Sequence, residues 1–286
     1  MADIKNIAFG STIPDKRLIV HNNELIEIKR SYKIHNNQAV IIWDIATTED
    51  VLIIKFSIKS NEFTFPALES TSHTGTIDWG DSTTEEYDSA LSYTHTYAQV
   101  GIYELKINCE IIKFRDFCME SDEIKEVILP STVKSIGHCT FQNSTLESIV
   151  INEGLEEISS SAFQSSKLQN IVIPDTVHTI GDYAFQYCAE LQECKITENI
   201  EYKIITGNTF GYCTSLKRII MGKNISEIKV FAFNNCSALT DIEYNGTIQE
   251  WNSITKITIN SMVAWNAGCP EITVHCSNGS IVIPKN

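Results

Sequence analysis

The sequence predicts a mainly β protein whose second half is a parallel β-solenoid. A phenylalanine and a leucine recur there with one shared period, and each phenylalanine comes five or six positions before its leucine. The two series are Phe141, Phe163, Phe185, Phe210, Phe233 and Leu146, Leu168, Leu191, Leu216, Leu239. Short runs of alternating apolar and polar residues lie between them, which indicates strands rather than helices. With 43% hydrophobic residues in 286, the chain has enough apolar side chains to form a core.

Residues 1–44 contain a short repeat of their own. Residues 18–28, LIVHNNELIEI, align with residues 32–42, YKIHNNQAVII. An Asn-Asn pair between two β-forming runs is typical of a tight hairpin, because asparagine tolerates a left-handed backbone. We expect a β-meander that Trp43 closes. The pattern resembles N-terminal modules of phage and prophage tail-associated proteins, with His-Asn where those modules have glycine. That resemblance implies attachment to other virion subunits.

Residues 45–113 carry three motifs in a fixed order. These are W-G-D-S at 79–82, H-T-Y at 95–97 and G-I-Y-E-L-K-I at 101–107. They resemble the polycystic-kidney-disease (PKD) type of immunoglobulin-like β-sandwich, which implies a spacer with Trp79 and Tyr97 in its core. Asp78 and Asp81 flank a tight turn. They are interpreted as turn-capping residues, with a calcium ligand pair as the alternative.

Residues 114–245 form the repeats, and the clearest copy begins at Leu168. Ile171 and Ile173 alternate with Val172 as in a strand, and Pro174 then ends the ladder because proline has no N–H group to donate. One unit cannot bury its apolar side chains alone, so copies must stack. We expect six strands in one continuous sheet, and a bulged loop at 198–210, where the fourth unit has extra residues.

The repeat unit has I-P after the strand and A-F-x-x-C before the next leucine. This pattern resembles the BspA-like leucine-rich repeats of bacterial surface proteins and some protist surface proteins. The resemblance implies a binding protein rather than an enzyme.

Residues 246–286 are interpreted as the C-terminal cap that a solenoid needs over its last apolar face. A G-T-x-x-x-W segment ending at Trp251 resembles the terminal cap of the same family. Trp251 and Trp265 are expected to cover the core, with ligand stacking as the alternative. Residues 272–283 predict a hairpin whose turn is Asn278-Gly279.

Composition excludes some partners. The net charge of −14 repels nucleic-acid phosphates and disfavours anionic membranes. No stretch has the apolar length of a membrane span, and no secretory signal is visible at the N-terminus. Of the nine cysteines, Cys188, Cys213 and Cys236 each follow a repeat phenylalanine by three positions. They are expected to be reduced core residues, since the chain has no C-x-x-C pair for a metal or redox site.

No catalytic constellation is apparent, so we expect no enzyme, no cofactor and no metal. Solenoids bind through exposed strand faces, and the two-residue period of a strand identifies that face. One outward column is predicted to hold Glu126, Ser148, Asn170, Glu193, Arg218 and Asp241. The next column is predicted to hold Ile128, Val150, Val172, Lys195, Ile220 and Glu243, in which four aliphatic residues form an exposed stripe. The residues predicted to bind a partner are Ser148, Val150, Asn170, Val172, Glu193, Lys195, Arg218 and Ile220.

The predicted function is adhesion or receptor binding as a phage or prophage virion component of gut bacteria. One alternative is a cell-surface adhesin of the BspA-like kind, and the other is a purely structural virion subunit. The expected partner is a protein or glycan on a bacterial or host surface, with other virion subunits at residues 1–44 and a homo-oligomer as further options. The expected location is a virion, the cell surface or the extracellular space.

Overall fold

The computed structural model describes residues 17–21, 24–28, 51–70, 74–119, 123–196, 204–259, 262–263 and 265–285. The chain divides into two compact units, residues 1–50 and 51–286. In the first unit, β1 (Arg17–His21) pairs antiparallel with β2 (Glu24–Ile28). This hairpin confirms the structure expected for the first copy of the N-terminal repeat. The second copy, at 32–42, and Trp43 lie outside the described residues.

The second unit begins with two β-sheets that pack against each other. Their strands are β3 (Leu52–Ile58), β4 (Glu62–Phe65), β5 (Glu69–Ser70), β6 (Thr74–Asp78), β7 (Thr84–Asp88), β8 (Tyr93–Thr96) and β9 (Gly101–Asn108). One sheet contains β3, β9, β6 and β7, and the other is β4 with β8. Phe56 stacks on Phe63 across the two sheets at 4.0 Å between ring centroids. Trp79 and Tyr97 are buried as expected, and the Tyr97 hydroxyl donates to the Trp79 carbonyl at 2.9 Å.

Each turn of the solenoid contributes one strand of three to five residues to one side and a second strand to the other side, and the second strand is two residues long in every turn after the first. The pairings between turns are parallel. The strands are β10 (Ile111–Phe114), β11 (Ile124–Ile128), β12 (Ser135–Ile136), β13 (Ser148–Val150), β14 (Glu157–Ile158), β15 (Asn170–Ile173), β16 (Thr179–Ile180), β17 (Glu193–Ile196), β18 (Ile204–Ile205), β19 (Arg218–Met221), β20 (Glu227–Ile228) and β21 (Asp241–Tyr244). This confirms the predicted parallel solenoid. Residues 198–203 of the bulge expected at 198–210 lie outside the described part of the chain, and residues 204–205 form β18.

The expectation of one continuous sheet is wrong. Strands β11 and β13 belong to one sheet, whereas β15, β17, β19 and β21 belong to another. Strand β13 is only three residues long, and Asn152 follows it where the first and third units have proline. The Asn152 side-chain amide donates to the Leu129 carbonyl, which joins the second turn to the first turn and not to the third. The Gln169 N–H still donates to the Glu147 carbonyl across the gap, at 3.1 Å.

Strands of residues 51–113 continue both sheets of the solenoid. Strand β3 pairs antiparallel with β11, with Ile54 opposite Val127. Strand β5 pairs antiparallel with β10, with Glu69 opposite Lys113. The first solenoid turn therefore has a partner strand on each of its sheets.

The core of the solenoid is a column of stacked rings. Consecutive phenylalanines at the repeat position lie 5.3 to 5.4 Å apart and nearly parallel, from Phe141 to Phe233. Beside them, the thiols of Cys188, Cys213 and Cys236 each donate to the phenylalanine carbonyl of the preceding turn at 3.0 Å. The cysteines occupy the packing position that the sequence predicted, and all nine are free thiols.

The cap continues the solenoid rather than simply covering it. Its elements are α1 (Ile248–Ser253), β22 (Thr255–Lys256), β23 (Thr258–Ile259), β24 (Met262–Val263), β25 (Ile272–Cys276) and β26 (Gly279–Ile283). Strand β25 pairs parallel with β21, and β26 turns back along it as the predicted hairpin. Trp251 and Trp265 are buried, and the Cys269 thiol donates to the Phe233 carbonyl at 3.0 Å, as the repeat cysteines do. In the described part of the chain, no helix has the length and hydropathy to span a membrane.

Candidate functional site

The candidate site is the outward face of the long strands. Strand register places the predicted binding residues in two columns, as the sequence indicated. Ser148 lies opposite Glu126, and Val150 opposite Ile128, on the first sheet. On the second sheet one column holds Asn170, Glu193, Arg218 and Asp241, and the other holds Val172, Lys195, Ile220 and Glu243. We call the outward side of β13, β15, β17, β19, β21 and β25 the exposed face.

Ion pairs hold the centre of the exposed face. The Arg218 guanidinium donates to a Glu193 carboxylate oxygen at 3.3 Å and also to Glu243. The Arg218 side chain is only 20% exposed. Because the partners lie on three successive strands, one cation bridges two carboxylates across the sheet. The arrangement restricts the rotamers of all three side chains, so less conformational entropy would be lost when a partner binds.

The aliphatic stripe is narrower than the sequence predicted. Ile220 is buried at 8% exposure, and Val150 and Val172 are half-buried. Ile220 lies between Lys195 and Glu243 in the strand register, and the stems of such long side chains cover apolar neighbours. Burial lowers the pKa of Lys195, although Asp175 and Glu193 act to raise it. The outward positions therefore form a mixed surface of half-covered aliphatic and paired charged groups.

The two outward columns continue onto strands at both ends of the solenoid that the repeat pattern does not include. At one end, His275 on β25 follows Glu243 in register, and its Nε2 lies 3.1 Å from an Asp241 carboxylate oxygen. At the other, Lys55 on β3 donates to Glu126 at 3.0 Å. The alternation of Ile272 and Val274 is a usable signal for β25, although by itself it predicts only half of a hairpin. No sequence signal placed β3 beside β11.

Asp78 and Asp81 serve the turn between β6 and β7. Asp78 accepts a hydrogen bond from the Gly80 N–H at 2.9 Å, and Asp81 accepts one from the Thr83 N–H at 3.0 Å. The second Asp81 oxygen lies 2.8 Å from His95 Nε2. These contacts favour the interpretation of turn capping over a calcium pair. Among the described residues, no group of three or more His, Cys, Asp or Glu side chains is arranged to hold a metal.

Comparison with known families gives one match. The sequence profile of the BspA type leucine rich repeat region matches residues 110–240 and 201–263, together more than half of the chain, in six copies. No curated protein matches the chain.

Several solved structures are similar in fold. A leucine-rich repeat protein from Bacteroides ovatus is 22% identical, covering 53% of this chain and 46% of its own, with a TM-score of 0.40. The Treponema pallidum protein TpLRR is 23% identical, covering 54% and 80%, with a TM-score of 0.37. The pneumococcal vaccine antigen PcpA is 16% identical, covering 80% and 50%, with a TM-score of 0.43. The chain thus spans about half the length of the first of these proteins.

Proposed function

Because the chain belongs to the BspA-type leucine-rich repeat family, we propose that it is a non-enzymatic recognition protein whose exposed face binds a protein partner. The observation that carries the proposal is the pair of outward columns on β15, β17, β19 and β21. They present half-buried Val172 beside the Glu193–Arg218–Glu243 bridge on a rigid sheet. Aliphatic contact next to fixed charges is the combination that protein interfaces use, with the charges providing specificity.

We place the protein at a bacterial surface, as an adhesin. The family resemblance of residues 114–245 favours a surface protein over a virion component. The virion hypothesis depends on residues 1–44, most of which lie outside the described part of the chain. In either setting, residues 1–44 would be the attachment module and residues 45–113 a PKD-type spacer. The spacer would hold the exposed face away from the surface that carries the protein.

Two aspartate substitutions on the exposed face test this proposal. In the variant V150D/V172D, each new carboxylate would have to leave water when a partner covers the sheet, which is unfavourable for an unpaired charge. Labelled full-length chain is incubated with intact bacterial cells and with epithelial cells, before and after trypsin treatment of the cells. We expect wild-type binding that trypsin abolishes, and loss of that binding in V150D/V172D.

The matched control is S135D/T179D, which adds two carboxylates at outward positions of the short-strand sheet. It should bind as the wild type does, and both variants should retain the wild-type melting temperature. Undiminished binding by V150D/V172D, or equal loss in the control, would contradict the proposal, as would the absence of wild-type binding to either cell type.

A further inference from the structure

Each turn of the solenoid carries a residue with a left-handed backbone two positions after the repeat phenylalanine. In successive turns this residue is Asn143, Ser165, Tyr187, Tyr212 and Asn235, with φ between 55° and 62°. We call these five residues the row. Asparagine adopts this conformation readily, whereas a bulky side chain in it carries a steric cost. The backbone therefore gives no reason for tyrosine at two adjacent turns.

Burial accounts for the two tyrosines only in part. Tyr212 is half-buried, but Tyr187 is 47% exposed. The hydrophobic effect stabilises a side chain in proportion to the apolar area removed from water, and nearly half of Tyr187 stays in contact with water. An exposed side chain that carries backbone strain, as Tyr187 does, is a candidate for a role in binding.

The two tyrosines form an ordered pair on the surface. Their ring centroids lie 4.7 Å apart with 22° between the ring planes. The Tyr187 N–H donates to the Gly211 carbonyl at 2.8 Å, which fixes the two turns relative to each other. In the preceding turn the same position is Ser165, whose side chain carries no ring. Among the described residues, Tyr212 is the one ring that stacks on Tyr187, and Tyr187 remains 47% exposed. The row thus presents a rigid aromatic face bordered by a hydroxyl group.

We propose that Tyr187 and Tyr212 form a saccharide-binding platform, a second site separate from the exposed face. The apolar C–H face of a neutral hexose ring would pack on the exposed ring of Tyr187, because those hydrogens are slightly positive and the ring face is negative. Ser165, Asn235 and the two phenol groups supply donors and acceptors for the sugar hydroxyls at the rim of the platform.

The composition of the row favours a sugar over an apolar peptide or a charged glycan. Apart from the two tyrosines, its members are Asn143, Ser165 and Asn235, which are short, polar and uncharged. An apolar partner would require a wider apolar patch to gain from burial. An acidic or basic glycan would find no opposite charge in the row.

The double variant Y187N/Y212N tests the platform without disrupting the fold, because Asn143 and Asn235 already occupy the equivalent positions. Full-length chain is titrated by calorimetry with neutral hexasaccharides of glucose, mannose, galactose and N-acetylglucosamine. We expect the wild type to bind at least one of them, and the double variant to bind it about tenfold more weakly or worse.

The matched control is F117N, because Phe117 is also left-handed, with φ of 55°, and is 55% exposed, but it contacts His138 and not the tyrosine pair. F117N and V150D/V172D should bind the sugar as the wild type does, which separates this platform from the exposed face. The proposal is overturned if no hexasaccharide binds, if Y187N/Y212N binds normally, or if F117N loses as much affinity.

Discussion

The repeat cysteines stabilise the solenoid through hydrogen bonds from their thiols to phenylalanine carbonyls. Each thiol must remain protonated to donate such a bond. Burial raises the pKa of Cys188 to about 12, so the thiol is protonated at neutral pH. Desolvation likewise raises the pKa of Cys213 well above its ordinary value. The burial that packs these residues also preserves the hydrogen bonds they donate.

The charge of Asp81 makes the stability contributed by the β6–β7 turn depend on pH. Burial alone would raise its pKa, but hydrogen bonds from Thr83 and His95 outweigh that effect and lower the pKa below the ordinary value of 3.8. A carboxyl with a lowered folded-state pKa binds fewer protons in the folded chain than in the unfolded chain. Its contribution to stability is therefore present above that ordinary value and is lost as pH falls through the folded-state pKa.

We predict that D81N reduces the pH dependence of stability on the acid side. The free energy of unfolding of the wild type should fall more steeply than that of D81N below about pH 4, where the carboxyl becomes protonated. Urea unfolding of both proteins between about pH 3 and about pH 7 measures this. The control D78N removes the other turn aspartate and keeps the Asp81–His95 pair, so it should retain the wild-type slope. Parallel curves for wild type and D81N would contradict the prediction.

Among the secondary-structure elements, helix α1 is the one that packs the cap against the last turn of the solenoid. Helix α1 begins with a capping box, in which Thr247 and Glu250 bond to each other's backbone N–H groups. The helix places Trp251 against Tyr244 at 5.5 Å and against Trp265 at 6.3 Å between ring centroids. The Lys256 ammonium lies 4.6 Å from the Trp251 ring centroid. One short helix thus covers the last apolar turn.

We predict that W251A destabilises the chain by about 3–5 kcal/mol, because it leaves a large cavity over the last turn. Chemical denaturation followed by circular dichroism measures the loss. W251F keeps an aromatic ring in the site and should lose clearly less. A loss below about 1 kcal/mol in W251A would show that the cap relaxes around the cavity and that Trp251 is not its anchor.

For the whole molecule, the decisive contact is the pairing of β3 with β11. All seven residues of β3 pair with β9, and four of them, 53–56, pair on the other side with β11 in the first solenoid turn. Ile54 is fully buried opposite Val127. A strand shared between two regions couples their unfolding, because neither sheet can open there without the other.

We predict that I54A lowers the free energy of unfolding by about 2–5 kcal/mol. It should destabilise residues 51–113 and the solenoid together. Hydrogen exchange should show faster global exchange of amides in β9 and also in β19. F63A, in the two-stranded sheet of β4 and β8, is the control and should affect β19 less. Faster exchange confined to residues 51–113 in I54A would show that the two regions unfold independently.

The repeat pattern in the sequence predicts the turns of the solenoid, the phenylalanine and cysteine columns, and the outward positions from Glu126 to Glu243. Each of these follows from a local period, since alternation within a strand decides which side chains face the core. The parallel register then repeats that choice from turn to turn.

Only the folded chain shows the break between β13 and β15, the pairing of β3 with β11, the covering of Ile220 and the exposure of Tyr187. These features depend on contacts between segments that are distant in sequence, such as Ile54 opposite Val127 or Lys195 beside Ile220. A repeat specifies what each turn presents to the next turn. How much of a side chain remains uncovered depends on the particular neighbour, because side-chain length and hydrogen bonding differ from one turn to the next.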